Sequence, residues 1–178
     1  CLNNGDIDLI WNGLSVTESR MEEIDFSNAY IDNDQVIVTL KDSPLKTKAD
    51  LDGKILGYQL GSASEDAVSS DPETADKLKE IKKYPTFSEA LMDLENGRLD
   101  AVCIDSIAFY HYNSKRPDTY DVMTGEGDNF GSEKIAVGIR KSDKSFHKVL
   151  DETLDEIKAD GTAGEICKKW FNEDLIVQ

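Results

Sequence analysis

The sequence is poor in the residue types that most often bind metals or carry redox chemistry. Its 178 residues include only three cysteines (Cys1, Cys103 and Cys167) and two histidines (His111 and His147). None of the cysteines lies in a Cys-x-x-Cys or a Cys/His spacing, which excludes the zinc and thioredoxin-type patterns. We therefore expect no metal site and no cofactor, and we interpret Cys103 as a small buried residue of a strand.

Long hydrophobic runs are also missing. No stretch approaches the roughly 18–20 apolar residues that a membrane-spanning helix requires. The N-terminus shows no basic segment followed by an apolar one, so no signal peptide is recognisable at residue 1. Cys1 raises the question of a lipid anchor, since mature bacterial lipoproteins begin with a lipidated cysteine. A strand predicted from about Ile7 leaves no flexible polar tether, however, so we expect a chain cut at its N-terminus.

Positive charge is scarce relative to negative charge. Aspartate and glutamate number 36 against 20 lysines and arginines, which gives a net charge of −16. A chain this acidic is repelled by phosphate backbones and by anionic lipid head groups, which argues against binding to nucleic acids. The acids are spread along the whole chain, as expected for the solvated faces of helices and loops.

The pattern of apolar residues predicts an α/β fold. Short runs rich in β-branched residues alternate with amphipathic segments that carry helix start and stop signals. No long linker rich in proline, glycine or serine divides the chain, and the nearest loop candidate is Asn113–Thr119. Helices are predicted at the capping boxes Thr86–Glu89 and Thr162–Glu165 and over Phe146–Ile157. The predicted strands are Ile7–Trp11, Val36–Leu40, Ile55–Gln59, Ala101–Ile104, Tyr120–Met123 and Ile135–Ile139.

The stretch Asn12–Ser27 (NGLSVTESRMEEIDFS) places one arginine, Arg20, among several acidic residues. It follows a predicted strand and opens a short helix that Thr17 can cap. Arg20 lies in the first helical turn, where the helix dipole mildly disfavours positive charge, so an arginine there often has an anion partner. The alternative is an ordinary surface salt bridge to Glu22 or Glu23, and the pattern alone does not exclude it.

Two further stretches have features of a binding site. Gly57–Glu65 (GYQLGSASE) predicts a strand, a glycine turn and a helix start, with Ser62 at the first position of a capping box. The free N–H groups of such a helix end can bind an anion, and an ordinary cap is the alternative. Gly97–Ser106 (GRLDAVCIDS) predicts a buried strand that ends on Asp105, at the edge where open α/β sheets bind ligands. Asp105 could hold a cation there, or it could cap the helix that follows.

Taken in order, these segments resemble the bacterial extracellular solute-binding proteins of family 3, the polar amino-acid receptors of ABC importers. The resemblance is carried by NGLSVTESRMEEIDFSNAY, QVIVTLKDS, DLDGKILGYQLGSASED, ALMDLENGRLDAVCIDS, EKIAVGIRKSD and IKADGTAGEICKKWF, which together span essentially the whole chain. It implies a periplasmic-binding-protein-like (type II) fold, in which two α/β lobes are joined by a two-stranded hinge and hold the ligand in a cleft. Lobe I is expected to contain residues 1–33 and 137–178, and lobe II residues 34–136.

The resemblance also implies roles for residues of the first lobe. Ser15 and Arg20 correspond to the clamp on the α-carboxylate of the ligand. A guanidinium suits that role because it pairs with a carboxylate through two charge-assisted hydrogen bonds. Gly13 corresponds to a backbone carbonyl that accepts from the α-amino group, and Asn12 lines the pocket beside it.

In the second lobe, Ser62 and the N–H of Ala63 correspond to a second grip on the carboxylate, and Asp105 corresponds to the acid that holds the ammonium. Relatives often have Ser or Thr where this chain has Ala63, so only the backbone contact is expected to remain. The opening strand–helix–strand unit of the family is also missing. We therefore expect an incomplete lobe I that belongs to a longer native chain or forms a dimer through its exposed surface.

The implied function is a non-enzymatic, extracytoplasmic receptor that binds a free polar amino acid and delivers it to an ABC permease. It would act in the periplasm or as a lipid-anchored protein at the cell surface. The same fold could also be the ligand-binding ectodomain of a sensor, or a dehydratase-like enzyme. An enzyme needs an acid or base with a shifted pKa over the reacting carbon. Asp105 is the only cleft acid that the pattern places, and the receptor interpretation already uses it.

Overall fold

The computed structural model describes residues 1–171 and 174–177, which form two compact units. Unit 1 comprises Cys1–Asn33 and Glu133–Gln178, and unit 2 comprises Asp34–Ser132. The units divide after residue 33 and after residue 132, and the lobe boundaries expected after residues 33 and 136 stay predictions. Residues 134 and 136 belong to unit 1, where their backbones hydrogen-bond to Val16 and Leu14.

Strands and helices alternate along most of the chain, in agreement with the predicted α/β class. No helix in the described part of the chain is both long enough and apolar enough to cross a membrane. The strands are β1 (Leu9–Ile10), β2 (Asp25–Phe26), β3 (Ile31–Leu40), β4 (Ile55–Gln59), β5 (Glu80–Tyr84), β6 (Ala101–Asp105), β7 (Tyr120–Val122), β8 (Asn129–Ile135) and β9 (Gly138–Ile139). The helices are α1 (Glu18–Glu23), α2 (Ala63–Ser69), α3 (Pro72–Ala75), α4 (Phe87–Glu95), α5 (Ser106–Lys115), α6 (Lys144–Ala159) and α7 (Thr162–Phe171), with a short 3-10 helix at Lys48–Leu51.

Unit 2 is built on a mixed sheet with the strand order β5-β4-β6-β3-β7, and β8 also pairs with β3. Strand β4 runs parallel to β5 and β6, whereas β3 runs antiparallel to β6 and β7. Both faces of β6 are buried, because Ala101 and Cys103 enter one apolar cluster while Val102 and Ile104 enter another. This double burial explains the continuous apolar sequence of the strand. Helix α4 covers one face through four apolar residues, Phe87, Ala90, Leu91 and Leu94.

Unit 1 contains a small antiparallel sheet in the order β1-β9-β2. Its core joins residues at β9 to residues of α6, namely Val137, Ile139, Leu150 and Leu154. At Gly138 of the central strand, a Cβ atom would lie 2.9 Å from Leu14 Cδ2 and 3.0 Å from Ile24 Cδ1. Both atoms are the ends of apolar side chains, so a larger residue at this position would require those side chains to shift.

The predicted strand Ile135–Ile139 is interrupted in the structure. Ile135 forms a bridge with Ser15, whereas Val137 exchanges hydrogen bonds with Ser27. The segment changes its partner within two residues, so it cannot continue as one regular strand. Apolar periodicity alone does not show this change, because both halves of the segment are equally buried.

The predicted capping boxes have different outcomes. Thr86 caps α4 as predicted, with its Oγ1 accepting a backbone N–H of the first turn at 3.3 Å. The prediction for Ser62 is wrong, since its hydroxyl donates to the carbonyl of Gln59 at 2.7 Å and does not cap α2. The prediction for Thr162 is also wrong. Thr162 is the first residue of α7, and its N–H donates to Asp160 Oδ1 at 2.8 Å.

Two further elements differ from the prediction. Helix α5 continues to Lys115, so the expected loop Asn113–Thr119 is shorter and begins at Arg116. Strand β5 was not predicted, because its sequence EIKKY contains two lysines and lacks an apolar run. It lies at the edge of the unit 2 sheet, where lysine is tolerated and discourages pairing with other chains.

Candidate functional site

The stretch Leu14–Val16 is fixed to strand β8 and the residue that follows it. Val16 N donates to the carbonyl of Lys134 at 2.9 Å, and Ala136 N donates to the carbonyl of Leu14 at 3.2 Å. Between these two bonds, Ser15 forms a bridge with Ile135. The backbone of the predicted binding stretch is therefore held like a strand.

Arg20 is positioned by the short helix α1 and by the backbone of Ser15. Thr17 caps the helix as predicted, with its Oγ1 accepting from Arg20 N at 3.3 Å. The half-buried guanidinium donates from Nη1 to the carbonyl oxygen of Ser15 at 2.9 Å. Across residues 1–171 and 174–177, no carboxylate lies within 4.0 Å of this guanidinium, so the alternative of a salt bridge to Glu22 or Glu23 is wrong. A guanidinium has five N–H donors, and most of those on Arg20 remain for an outside anion.

The Ser15 side chain belongs to a buried polar cluster, which we call the Glu133 cluster and define as Ser15, Asn33 and Glu133. Ser15 Oγ donates to Glu133 Oε1 at 2.6 Å, and Asn33 Nδ2 donates to the same oxygen at 2.8 Å. Ser15 and Asn33 are each 2 % exposed, and Glu133 is half-buried. The cluster joins the predicted binding stretch to the two points at which the chain leaves unit 1.

Asn12 and Gly13 lie in an exposed turn before Ser15. The carbonyl of Asn12 accepts from the hydroxyl of Tyr30 at 2.9 Å, and burial raises the pKa of that tyrosine. No atom lies within 4 Å of the position that a Cβ on Gly13 would occupy, so packing does not require a glycine there. The open space instead leaves the backbone at Gly13 accessible from outside.

In unit 2, the turn between β4 and α2 is fixed by Glu65. Gly61 adopts a positive φ of 70°, which favours glycine at the turn. Gly61 N donates to Glu65 Oε2 at 2.7 Å, and Lys83 Nζ lies 2.6 Å from Glu65 Oε1. The hydrogen bond from Lys83, and next the one from Gly61, lower the pKa of Glu65. Glu65 thus stabilises the turn from outside, while Ser62 and Ala63 begin the helix.

Asp105 ends strand β6 and is held by a buried amide. Gln35 lies directly opposite Asp105 on β3, and Gln35 Nε2 donates to Asp105 Oδ1 at 2.6 Å. The other end of the amide, Gln35 Oε1, accepts from Ser64 Oγ at 2.5 Å. Gln35 is 2 % exposed and Ser64 is fully buried. We call Ser64, Gln35 and Asp105 the Gln35 relay.

The alternative role of Asp105 as a helix cap is not seen. Asp105 precedes α5, but its side chain makes no capping hydrogen bond. Instead, the relay links Ser64, within the Gly57–Glu65 stretch, to the end of β6, and so joins two stretches that the sequence analysis had identified separately. Ser62 and Ala63 lie one and two residues before Ser64.

Four residues of these networks were missed by the sequence analysis: Asn33, Gln35, Ser64 and Glu133. Asn33 and Gln35 do carry a signal, because they are polar residues that lead directly into the apolar run of β3. That signal is ambiguous, since the beginning of a strand is often exposed and polar. Throughout residues 1–171 and 174–177, no cluster of three or more His, Cys, Asp or Glu side chains could hold a metal ion.

The chain was compared with known proteins. Residues 1–173 match the family described as bacterial extracellular solute-binding proteins, family 3. A solved ABC uptake transporter substrate-binding protein from Streptococcus pneumoniae, with bound histidine, is similar with a TM-score of 0.90 and 40% identity. That alignment covers 99% of this chain and 73% of the other. The arginine-, lysine-, histidine-binding protein ArtJ from Geobacillus stearothermophilus is similar with a TM-score of 0.83 and 29% identity, over 97% of this chain and 73% of the other.

Curated relatives agree with this assignment. The glutamine-binding protein GlnH of Bacillus subtilis is 29% identical over 97% of this chain and 61% of its own length. The L-cystine-binding protein TcyJ of Escherichia coli is 30% identical over 98% of this chain and 64% of its own length. The chain therefore spans less than two thirds of either relative. Because the family match extends over nearly all of its residues, the chain belongs to the bacterial extracellular solute-binding proteins, family 3.

Proposed function

We propose that the protein is an extracytoplasmic receptor that binds a free polar amino acid and delivers it to the permease of an ABC importer. The observation that carries the proposal is that the guanidinium of Arg20 is oriented by the protein but not neutralised by it. In a chain with a net charge of −16, this arginine has no carboxylate partner within the described residues. Its guanidinium is held at one atom by a backbone carbonyl, which orients it without neutralising it. Such a group suits the carboxylate that all free amino acids share.

Each unit contributes a proposed part of the recognition. In unit 1, Arg20 pairs with the α-carboxylate, the accessible backbone carbonyl of Gly13 accepts from the α-ammonium, and Asn12 lines the pocket. In unit 2, Asp105 supplies the negative charge for the ammonium. The Gln35 relay holds one oxygen of Asp105, so that its position is fixed before ligand arrives.

Ser62 and Ala63 are the proposed second contact to the carboxylate. Ser62 precedes α2 and its own N–H donates to the carbonyl of Gln59 at 3.3 Å, whereas Ala63 is the first residue of the helix, where backbone N–H groups are not used within the helix. The Ser62 hydroxyl is also engaged with Gln59, so we assign the contact to the backbone N–H of Ala63 rather than to Ser62.

The identity of the amino acid is a separate question from the recognition of its head group. The relatives named above bind glutamine, cystine, histidine, arginine and lysine. The side chains of these amino acids differ in charge, size and shape, whereas the α-carboxylate and α-ammonium are common to all of them. The proposal therefore covers the head group, which the residues above can recognise, and extends to polar amino acids as a class.

We propose no catalytic role for the protein. Its named relatives are binding proteins. Asp105, the one cleft acid expected from the sequence, is engaged by an amide donor that holds it as a fixed acceptor. A fixed acceptor serves binding, whereas a proton-transferring acid must exchange its proton with the reacting carbon.

The test is calorimetry on the full-length protein with L-glutamine, L-histidine, L-arginine and L-cystine. We expect at least one to bind, and we expect R20A to reduce its affinity by roughly 2–5 kcal/mol, the cost of removing one partner of a desolvated charge pair. The matched control is R98A, which removes an arginine whose 65% exposed side chain pairs with Asp93 of unit 2. A change below about threefold for R20A, roughly 0.7 kcal/mol, would show that Arg20 is an ordinary surface residue.

We also propose that the incomplete first lobe either belongs to a longer native chain or forms a dimer through its exposed surface. Unit 1 leaves several apolar side chains exposed, namely Trp11 at 53%, Ile166 at 53% and Trp170 at 72%. Apolar surface of this kind marks an interface or a segment that other protein covers. Native mass spectrometry of residues 1–178 and of the full-length protein distinguishes the two cases. If only residues 1–178 form a dimer, further residues of the full-length protein cover the apolar surface. If both proteins form dimers, the surface is a true interface. If both are monomers, dimer formation is contradicted.

A further inference from the structure

The hydroxyl of Ser15 has one proton, which it donates in a hydrogen bond to Glu133. Glu133 Oε1 already accepts from the Asn33 amide nitrogen at 2.8 Å, so this oxygen acts as an acceptor. Ser15 Oγ lies 2.6 Å from the same oxygen, and the serine must therefore be the donor of the pair. A hydrogen bond from a hydroxyl to a carboxylate is charge-assisted and stronger than one to a neutral acceptor.

Because the Ser15 hydroxyl already donates to Glu133, it can act towards a ligand only as a hydrogen-bond acceptor. A hydroxyl offers one donor and two acceptor lone pairs, and with the donor used only acceptor capacity remains. Ser15 is 2 % exposed, so solvent does not compete to reorient the group. The side chain therefore cannot donate to a ligand carboxylate while the bond to Glu133 stands, which differs from the role that the sequence resemblance implied.

The same stretch presents donors at Arg20. The guanidinium donates to the carbonyl of Ser15, so it is held beside the residue whose hydroxyl bonds to Glu133. Unit 1 thus offers a cationic donor at Arg20 and a hydroxyl acceptor at Ser15. These opposite polarities match the carboxylate and the ammonium of an amino acid.

We infer that Glu133 is a positioning residue, which holds the Ser15 hydroxyl as an acceptor for the ligand ammonium and leaves the carboxylate to Arg20. The inference rests on the proposed amino-acid binding. It gives Glu133 a role in specificity, because a carboxylic acid that lacks the α-ammonium has nothing to donate to Ser15. The protein then discriminates amino acids from the corresponding deamino acids partly through a residue that does not touch the ligand.

The experiment compares two pairs of probes on the full-length protein: L-histidine with deamino-histidine, and L-arginine with deamino-arginine. Calorimetry gives a selectivity ratio, the dissociation constant of the deamino acid divided by that of the amino acid. We expect E133A to lower this ratio by about tenfold or more, the effect of one charge-assisted hydrogen bond. S15A should lower it to a similar extent, and the double variant should lower it no further than either single variant.

The matched control is D32N, which removes one negative charge beside Asn33 from an exposed side chain paired only loosely with Lys134 at 3.7 Å. Its ratio should stay within about twofold of the unsubstituted protein. E133Q serves if E133A does not fold, because it keeps the shape but offers only a neutral acceptor. We expect E133Q to lower the ratio at least threefold.

The outcomes separate this inference from the proposed function. If the unsubstituted protein binds its amino acid but E133Q, E133A and S15A leave the ratio unchanged, the inference is wrong and the proposed function stands. If these variants weaken the amino acid and the deamino acid equally, Glu133 is only structural and the inference is again wrong. If the unsubstituted protein binds none of L-glutamine, L-histidine, L-arginine and L-cystine, the proposed function and this inference fall together.

Discussion

The Gln35 relay can be tested through stability, without knowledge of the ligand. Gln35 is 2 % exposed and connects Ser64 to Asp105 through hydrogen bonds of 2.5 and 2.6 Å. Substitution of Gln35 by methionine keeps the length of the side chain and removes both polar ends. The variant Q35M therefore leaves a fully buried serine hydroxyl without this acceptor, and it removes an amide donor from a carboxylate.

The expected loss can be estimated from these two contacts. A buried polar group that loses its partner costs about 1–3 kcal/mol, and a hydrogen bond to a charged group contributes about 1.5–3 kcal/mol. We therefore expect Q35M to lower the free energy of unfolding of unit 2 by about 3 kcal/mol. With a urea m-value near 2 kcal/mol per molar, the midpoint of unfolding should fall by about 1.5 M.

The assay combines urea unfolding, followed by circular dichroism, with amide hydrogen exchange of β3 and β6. The control is Q59M, which makes the same substitution at the end of β4, where the half-buried Gln59 side chain has no hydrogen bond within the described residues. Its midpoint should move by less than about 0.5 M, as surface substitutions change stability little. A Q35M midpoint that matches that of Q59M would refute the relay as a source of stability, as would unchanged exchange in β3 and β6.

Two other perturbations follow from the geometry of the two units. In unit 1, G138A places a Cβ within about 3 Å of Leu14 and Ile24 and should lower the free energy of unfolding by about 1–3 kcal/mol; a melting temperature equal to that of the parent would contradict the close approach. In unit 2, burial and then Glu95 raise the pKa of Tyr120 to about 12, and burial and then Asp93 do the same for Tyr84, from an ordinary value of 10.0. Because both pKa values are higher in the folded state, the stability they contribute is complete below pH 10 and is lost as the pH rises towards 12. Y120F and Y84F should flatten that alkaline decline, and a decline that is unchanged in both variants would show that other groups cause it.

Much of the fold could be predicted from the sequence because its central elements are buried on both faces. Strand β4 was predicted with its observed bounds, and β6 within one residue, since their apolar runs have no polar interruption. Helix α6 has the clear alternation of apolar and charged residues that an amphipathic helix requires. In these elements local sequence and tertiary environment favour the same structure, so the pattern of apolar residues is enough to predict it.

The prediction failed where pairing partners rather than burial decide the structure. The segment Ile135–Ile139 is apolar throughout, but it is divided because Ser15 pairs with its beginning and Ser27 with its middle. Strand β5 is the opposite case, since it lacks apolar periodicity and is a strand only because it pairs with all five residues of β4. The local sequence does not determine which distant segments pair with each other.

The candidate site shows the same division between local and long-range information. Arg20 could be identified from the sequence because it is a single cation among several acids, in a short segment that begins with a helix-capping threonine. Nothing local distinguishes Glu133 or Gln35, which read as ordinary polar residues near the ends of strands. Their importance depends on strand register: Gln35 lies opposite Asp105, and Glu133 lies two residues before the partner of Ser15.

This dependence on register separates residues that are proposed to touch the head group from residues that only position them. Two of the residues proposed to touch the head group are fixed by the side chain of a residue on a strand: Ser15 by Glu133, and Asp105 by Gln35. A substitution of either partner would leave the contact residue in place but free its side chain to rotate, with a change in selectivity larger than the change in the local fold. If that view is right, E133Q and Q35M should each alter the affinity for L-histidine or L-arginine in the folded protein, whereas D32N and Q59M should not. Equal affinities in all four variants would show that Ser15 and Asp105 are held by the backbone alone.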